Sequence, residues 1–220
     1  MADTSRERSS TWRYLDEYAK PIMDGMGISF IRASHDLATV DLYSHKGDLL
    51  IPAFTENGKL PTFCSSEWKR RVVLRKLREL GYGPKNPVRM WLGISLDEME
   101  RMKDSDTGWV EHHYPLIFDE RLRRIECETI IERFGLPVPP KSTCWMCPNM
   151  NAQTWKSIKE NDPDDFDRAI SLEKSVYGWD DRGGVYLHKS GKFLSEIDFD
   201  AETEREPDLF DGCDSGYCWT

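Results

Sequence analysis

The alternation of apolar and polar positions divides the chain into helical and extended stretches. "TWRYLDEYAKPIM" carries Trp12, Leu15 and Ile22 near one face at helical spacing, with Ser9 or Ser10 placed to cap it and Pro21 placed to bend or end it. "GISFIRA" follows as a short apolar strand leading through His35 and Asp36 into a less patterned segment. "SSEWKRRVVLRKLRELGYG" is the clearest helix: Ser65 or Ser66 caps it, Trp68, Val72, Leu74 and Leu77 supply apolar positions, and Gly81 stops it. "VRMWLGIS" is an almost unbroken apolar run of strand length, the pattern of a strand buried on both faces. "SLDEMERM" reads as a short helix capped by Ser95, "YPLIF" as a brief extended piece, and "RRIECETIIERFG" as a helix ending at Gly135. Beyond "LPVPPKSTCWMCP" come two helices, "NAQTWKSIKEN" and "PDDFDRAISLEKSVYG", and a hairpin, "VYLHKSGKFL", with its turn at Ser190–Gly191.

Strands alternating with helices predict an α/β fold with a mainly parallel sheet. The division expected is an α/β domain over residues 1–135 and a helical, irregular, cysteine-rich appendage over 136–220, packed on it. The acidic stretch "DFDAETEREPDLFDG" leading to the tail reads as solvated.

Composition narrows the partners. The formal net charge of −9 argues against a surface that holds nucleic acid by bulk electrostatics, because phosphate neutralisation needs a cationic excess. A local basic patch survives in "WKRRVVLRKLRE". No stretch approaches the roughly 20 apolar residues that span a bilayer, so no membrane partner is expected. The polar start "MADTSRERSS" is unlike a secretory signal, and the expected location is cytoplasmic. There, six cysteines are better read as metal ligands, catalytic thiols or buried apolar residues than as disulfides.

Cys144 and Cys147 form a C-x-x-C, a spacing that lets two thiolates bind one metal from a single turn, and that also suits a redox couple or a plain buried turn. Cys213 and Cys218, in "CDSGYC", form a second close pair with Gly216 at its bend. Cys64 stands at a helix N-terminus, where the dipole and the cations from Lys69 to Arg71 would favour a thiolate. Cys127 lies mid-helix, either in a core or facing the C-x-x-C. Spacing leaves structural zinc and a 4Fe–4S cluster equally open. His112 and His113 beside Glu111 read as a surface loop, since neighbouring residues point apart. Lys141 reads as a phosphate-binding or a solvated lysine. Asp97, Glu98 and Arg101 share one helix face and could pair simply for helix stability.

Several of these segments, in order, are similar to the phosphoadenosine phosphosulfate (PAPS) reductase-like family. "ADTSRERSSTWRYLDEY" resembles its "DTG" stretch with an acidic residue before a tyrosine-rich helix, and "FCSSEWKRR" its cysteine before a basic helix. "WLGISLDEMERM" resembles its Gly-Ile, Asp-Glu, Arg signature, here Gly93, Ile94, Asp97, Glu98 and Arg101. "IECETIIERFGLPVPPKSTCWMCPNM" and "YLHKSGKFLSEIDF" with a closing cysteine pair follow, as in phage-encoded members. The resemblance implies a Rossmann-like adenine nucleotide alpha-hydrolase (HUP-type) sandwich and an enzyme of nucleotide-linked sulfur or redox chemistry, an oxidoreductase or sulfurtransferase. Its substrate would be a nucleotide or nucleic acid, with a thiol reductant or sulfur donor as co-reactant. It places Asp97, Glu98 and Arg101 at the nucleotide or substrate cleft, where Lys141, from its own position beside the C-x-x-C, joins them as a candidate phosphate contact or tunes a cluster. It raises the 4Fe–4S cluster above zinc, with Cys64, Cys144 and Cys147 as ligands and Cys127 or Cys213 as the fourth, and leaves Cys218 or Cys213 as a mobile catalytic thiol.

The sequence departs from the family in three ways. It holds no glycine/serine-rich "SGGxDS"-like phosphate loop; Ser5 replaces the glycine of "DTG"; and the tail lacks the family's "ECGxH". The first departure implies that a partner protein or a further segment supplies the loop, or that ATP is not hydrolysed. The competing expectation is a non-catalytic binding module with a structural zinc or iron–sulfur site.

Overall fold

The computed structural model describes residues 1–34, 42–179 and 183–205, and it is a mixed α/β arrangement. Strand β1 (Ala2–Asp3) pairs in parallel with β2 (Ala33–Ser34), and helix α1 makes the crossover. Parallel neighbours require such a long connection, because a tight turn can only reverse the chain. Helix α1 runs through Ser9–Tyr14, Leu15–Ala19 and Lys20–Gly25, with the middle piece π-helical. The widened turn precedes Pro21, whose ring and missing N–H would break a regular α-helix, and the helix continues past it.

Helix α2 comprises a π-helical start, Ser65–Arg70, and an α-helical body, Arg71–Glu79. Strand β5 (Val88–Trp91) then pairs in parallel with β6 (Val110–His113). Between α1 and α2 lies the tight hairpin of β3 (Phe54–Thr55) and β4 (Gly58–Lys59). It continues through β7 (Val185–Tyr186) into an antiparallel sheet ordered β4-β3-β7. Among the described residues the other α-helices are α3 (Pro115–Phe118), α4 (Arg124–Arg133), α5 (Ala152–Asn161), α6 (Pro163–Val176) and α7 (Phe199–Arg205), with 3-10 turns at Leu96–Arg101 and Leu194–Glu196.

Several elements differ from the sequence reading. "GISFIRA" contributes only its last residue, Ala33, to the strand Ala33–Ser34, and Ile28 and Ile31 stay exposed. Strand β5 alternates half-buried with exposed positions instead of being buried on both faces, and Trp91 is 69% exposed. "EHH" is part of strand β6, and "PLIF" is the helical turn α3, started by a proline whose fixed φ suits the first helical position. The expected "VYLHKSGKFL" hairpin is replaced by pairing of β7 with β3. Buried Glu173 on α6 explains the change: its carboxylate accepts the backbone N–H groups of Leu187 (2.9 Å) and Leu194 (2.7 Å), so the segment is tied to α6 instead of to itself.

The main core draws on residues from Leu49 to Phe199. Leu49, Ile51 and Ala53 meet Trp68 of α2, Trp145 and Met146 of the C-x-x-C, and Trp155, Phe166, Val176, Leu194 and Phe199. Each large side chain buried here contributes roughly 1.5–3 kcal/mol. A smaller cluster of Ile94, Tyr114 and Ile117 supports the β5–β6 pair.

The N-terminal segment joins this core through a buried ion pair. Arg8 Nε donates to Asp162 Oδ2 at 2.5 Å, with side chains 4% and 0% exposed, and Arg13 reaches the other oxygen. Asp165 accepts the N–H of Ser9 at 2.6 Å, so α1 is capped from α6 and not by its own serines. Burial pushes the Asp162 carboxyl up, but the nearby Ser10 hydroxyl, the hydrogen bonds from Arg8 and Arg13 and their guanidinium charges outweigh it and hold the carboxyl below its ordinary range. The stability it supplies is therefore complete above the unfolded-chain value of about 3.9 and is lost as pH falls through the lower folded value. Asp162→Asn is expected to cost about 3–5 kcal/mol at neutral pH, because it strands a buried guanidinium, and to flatten the acid limb of the stability curve. Chemical denaturation from pH 7 down to pH 2 checks both; an unchanged midpoint would refute the ion pair's role.

Candidate functional site

Cys64 and Cys144 approach each other where the N-terminal segment crosses the C-x-x-C. Residues 3–8 leave β1 as a turn: Asp3 accepts the N–H of Ser5 at 2.8 Å, and Thr4 Oγ1 accepts the N–H of Arg6 at 3.2 Å. Ser5 sits at φ 57°, in the left-handed region that glycine occupies without strain. This is the position at which the resemblance expects glycine. The segment then runs antiparallel to the C-x-x-C. Trp145 N–H donates to Arg6 O (2.9 Å), Arg8 N–H donates to Thr143 O (3.0 Å), and Glu7 is bridged to Cys144.

The side chains converge on the sulfurs. Thr4 Oγ1 lies 3.4 Å from Cys144 Sγ, and Ser142 Oγ donates to Glu7 at 2.8 Å. The two residues between the cysteines, Trp145 and Met146, are 6% and 1% exposed and anchor the turn in the core. Arg168 of α6 lies over the Trp145 ring at 4.5 Å, and it also binds Asp165. Cys147 N–H closes the turn on Cys144 O at 3.0 Å. Cys64, the residue before the π-helical start of α2, approaches from the other side, its N–H bonded to Leu50 O at 2.9 Å.

Burial dominates the electrostatics. The Cys64 thiol is pushed up to about 11, first by burial and then by the charge of Cys144, with Lys69 opposing both. Burial likewise raises Cys144; Lys69, the Thr4 hydroxyl and Arg6 pull it down, and Glu7 adds to the rise. Burial raises Glu7 too, against hydrogen bonding from Ser142 and the charge of Lys69. The thiolate expected of Cys64 from its helix position is therefore overruled by desolvation. Lys69 is the cation that acts on all three groups.

The other sequence candidates lie elsewhere. Cys127 is on α4, where burial first and then the charges of Asp97, Glu126 and Glu128 raise it. Asp97 accepts the N–H of Arg124 at 3.2 Å and so helps start α4, while Glu98 and Arg101 pair with each other at 2.5 Å. Lys141 stands three residues ahead of Cys144. His112 and His113 point to opposite faces of β6: His112 Nδ1 meets Lys103 O, and His113 Nε2 meets Asp119 at 2.7 Å. Cys213 and Cys218 lie outside the described residues. Among the described residues, no group of three or more His, Cys, Asp and Glu side chains is close enough to hold a metal ion, and no helix is long and apolar enough to cross a membrane. Thr4, Glu7 and Ser142 were missed as site residues, because nothing but the "DTS" likeness sets them apart from ordinary surface polar residues. Comparison with known proteins finds no matching family model, curated protein or solved structure.

At pH 7 a thiol with a pKa of about 11 is ionised in about one molecule in ten thousand, against a few per cent for an ordinary cysteine near 8.5. Alkylation of the native protein with iodoacetamide, mapped by mass spectrometry, is expected to label Cys127 well before Cys64 or Cys144. Equal rates would show that the pair is not buried. Ser5→Gly should raise the unfolding free energy measured by chemical denaturation by up to about 1 kcal/mol, relieving the left-handed serine; a destabilised variant would contradict this.

Proposed function

We propose that the chain holds a thiolate-ligated metal centre, a 4Fe–4S cluster in preference to zinc, and works in nucleotide-linked sulfur or redox chemistry of the PAPS reductase-like kind. The observation that carries this reading is the meeting of Cys64 with the Cys144–Cys147 turn, close enough for the Cys144 charge to perturb the Cys64 thiol. The fit is incomplete: Cys64 and Cys144 are neighbours, but among the described residues no three His, Cys, Asp or Glu side chains are placed to hold a metal ion. On this reading Cys213 completes the set and Cys218 is the reacting thiol, whereas Cys127, beside Asp97, stays apart. The Rossmann-like, HUP-type sandwich is part of the proposal, supported by the two parallel strand pairs and their crossovers.

A cluster bound here would supply electron transfer. The chain's own groups tune its surroundings. Lys69 and Arg6 offset the negative charge of the thiolates, and the Thr4 hydroxyl donates to Cys144 Sγ once the sulfur is ionised. Hydrogen bonds to ligand sulfurs of this kind set a cluster's potential. Lys141, close in sequence to Cys144, is the cation assigned to a substrate phosphate. Asp97, Glu98 and Arg101 instead serve the start of α4 and each other.

The second reading, a non-catalytic binding module with a structural zinc, is favoured by the exposed side chains of Trp91, Phe118, Ile125 and Phe134, which could meet a partner. Anaerobic purification followed by iron, acid-labile sulfide and zinc analysis separates the two. The cluster reading expects iron and sulfide, lost in Cys64→Ser, Cys144→Ser and Cys147→Ser and retained in Cys127→Ser. Stoichiometric zinc without nucleotide binding would replace it with the binding module, and a protein with neither metal would overturn both.

A further inference from the structure

Strand β5 is paired on one side only. Its register with β6 runs from Val88↔Val110 to Trp91↔His113, and the bonds from Val88 N–H to Trp109 O (2.9 Å) and from Leu92 N–H to His113 O (2.8 Å) frame the ladder. Alternate residues of a strand turn their N–H and C=O to the same neighbour, so Val88, Met90 and Leu92 serve β6 while Arg89 and Trp91 turn theirs to the opposite edge. Among the described residues, β5 and β6 form a sheet of their own and no backbone group bonds that outer edge. The side chains alternate as well. Met90 and Leu92 line a cavity of about 270 Å³ whose floor includes Val73 and Leu74 of α2, whereas Arg89 and Trp91 stand exposed on the other face.

A parallel pair with an open edge and a bare outer face is unusual, because parallel strands are ordinarily covered on both faces and exposed edges are guarded by proline, bulges or charge. Here Pro87 lies just ahead of the strand, and the Arg89 guanidinium is neutralised by Glu111 at 3.1 Å. Trp91 touches the His113 ring, centroids 5.7 Å apart, and still leaves most of its surface to solvent. The net charge of −9 keeps copies of the chain apart in general, but the Arg89–Glu111 pair is neutral and lets like chains approach at this edge. The edge also matches itself. When a second β5 runs antiparallel about Met90, Arg89 lies opposite the partner's Trp91, and the two residues exchange both their N–H···O bonds. The pairing repeats across the two-fold axis, so every open backbone group of Arg89 and Trp91 is used. Directly opposite side chains share a face with Cβ atoms about 5 Å apart, which brings each guanidinium to the partner's indole, the ring that best attracts a cation.

We propose that β5 is a self-association edge at which a second copy of this chain adds antiparallel, giving one continuous sheet ordered β6-β5-β5-β6. The interface is isologous, with its two-fold axis at Met90. Two short strands and their indoles cover little area, so the dimer is weak, with a dissociation constant on the order of 10–100 µM. The proposal rests on β5 and not on the thiol centre, so metal analysis and dimerisation can fail separately.

The test is sedimentation velocity of the whole protein from about 1 µM to about 500 µM, with a reductant present to exclude disulfide dimers; a monomer–dimer equilibrium is expected in that range. Trp91→Pro removes the outward N–H and the indole but leaves the bonds to β6 in place, and it should weaken association at least about tenfold. Trp91→Arg, at an exposed position that leaves the fold alone, sets like charges opposite the partner's Arg89 and should have the same effect. Met90 lies on the axis, so in Met90→Cys the two substituted positions face each other about 5 Å apart, and a mild oxidant in place of the reductant should link them to each other in the peptide map. A chain that stays monomeric throughout overturns the proposal. So does a dimer that Trp91→Pro and Trp91→Arg leave intact, or one in which position 90 fails to link to its counterpart.

Discussion

The buried pair between Arg8 and Asp162 holds together parts of the chain that are far apart in sequence. Two charges withdrawn from water are costly, and they persist only when geometry and further hydrogen bonds satisfy them. Here the satisfaction is extensive: Arg13 takes the second carboxylate oxygen, and Arg8 Nη2 reaches the carbonyl and hydroxyl of Ser157. Asp162 also stands at the junction of α5 and α6, where it is the N-cap position of α6. Its neighbour Asp165 holds Ser9, and Arg168 passes from Asp165 to the face of Trp145. This network fixes the segment 3–9 against the C-terminal helices. Only then can Glu7 pair with Cys144 and Thr4 reach its sulfur.

That placement decides the character of the thiols. In an exposed turn, Cys144 and Cys147 would behave as ordinary cysteines. With Trp145 and Met146 locked in the core and the N-terminal segment laid across them, desolvation becomes the largest influence on Cys144 and Cys64. Lys69 and Arg6 oppose it without overcoming it. A buried, protonated pair next to fixed cations is an arrangement in which ionisation awaits compensation by positive charge. A metal supplies such charge directly, because it binds the thiolate and displaces the proton.

The parts that were legible in the sequence are those with local causes. Helices α2, α5 and α6 follow from 3.6-residue periodicity and their end signals, and the C-x-x-C from its spacing. Strand β6 was not legible: "VEHH" has no strand-like apolar run, and its conformation comes from its parallel neighbour β5. The β7 segment carried a good hairpin signal, yet Glu173 redirected it from another helix. At the candidate site, the nearness of Cys64 to Cys144 came from the family likeness, since periodicity says nothing about two segments so far apart. Glu7, Arg8 and Asp162 could not be read at all. Their roles depend on contacts across more than half the chain, and in sequence they look like solvated charges.

Helix α2 connects the thiol pair to the cavity beside β5. Its π-helical start buries Ser65 and Trp68 and carries Lys69 toward the thiols, while Ser66 and Arg70 line the cavity beside β5. A π-turn holds one more residue than the α-turn it replaces, and single π-turns of this kind occur frequently at functional sites. The extra residue sets the rotation between Cys64, ahead of the turn, and Val73 and Leu74, beyond it. In a regular α-helix, removing one residue would swing the two later side chains by roughly 100° relative to Cys64, taking the cavity floor off the helix face that meets β5. The local geometry of six residues therefore relates the thiol pair on one side of α2 to the open apolar floor on the other.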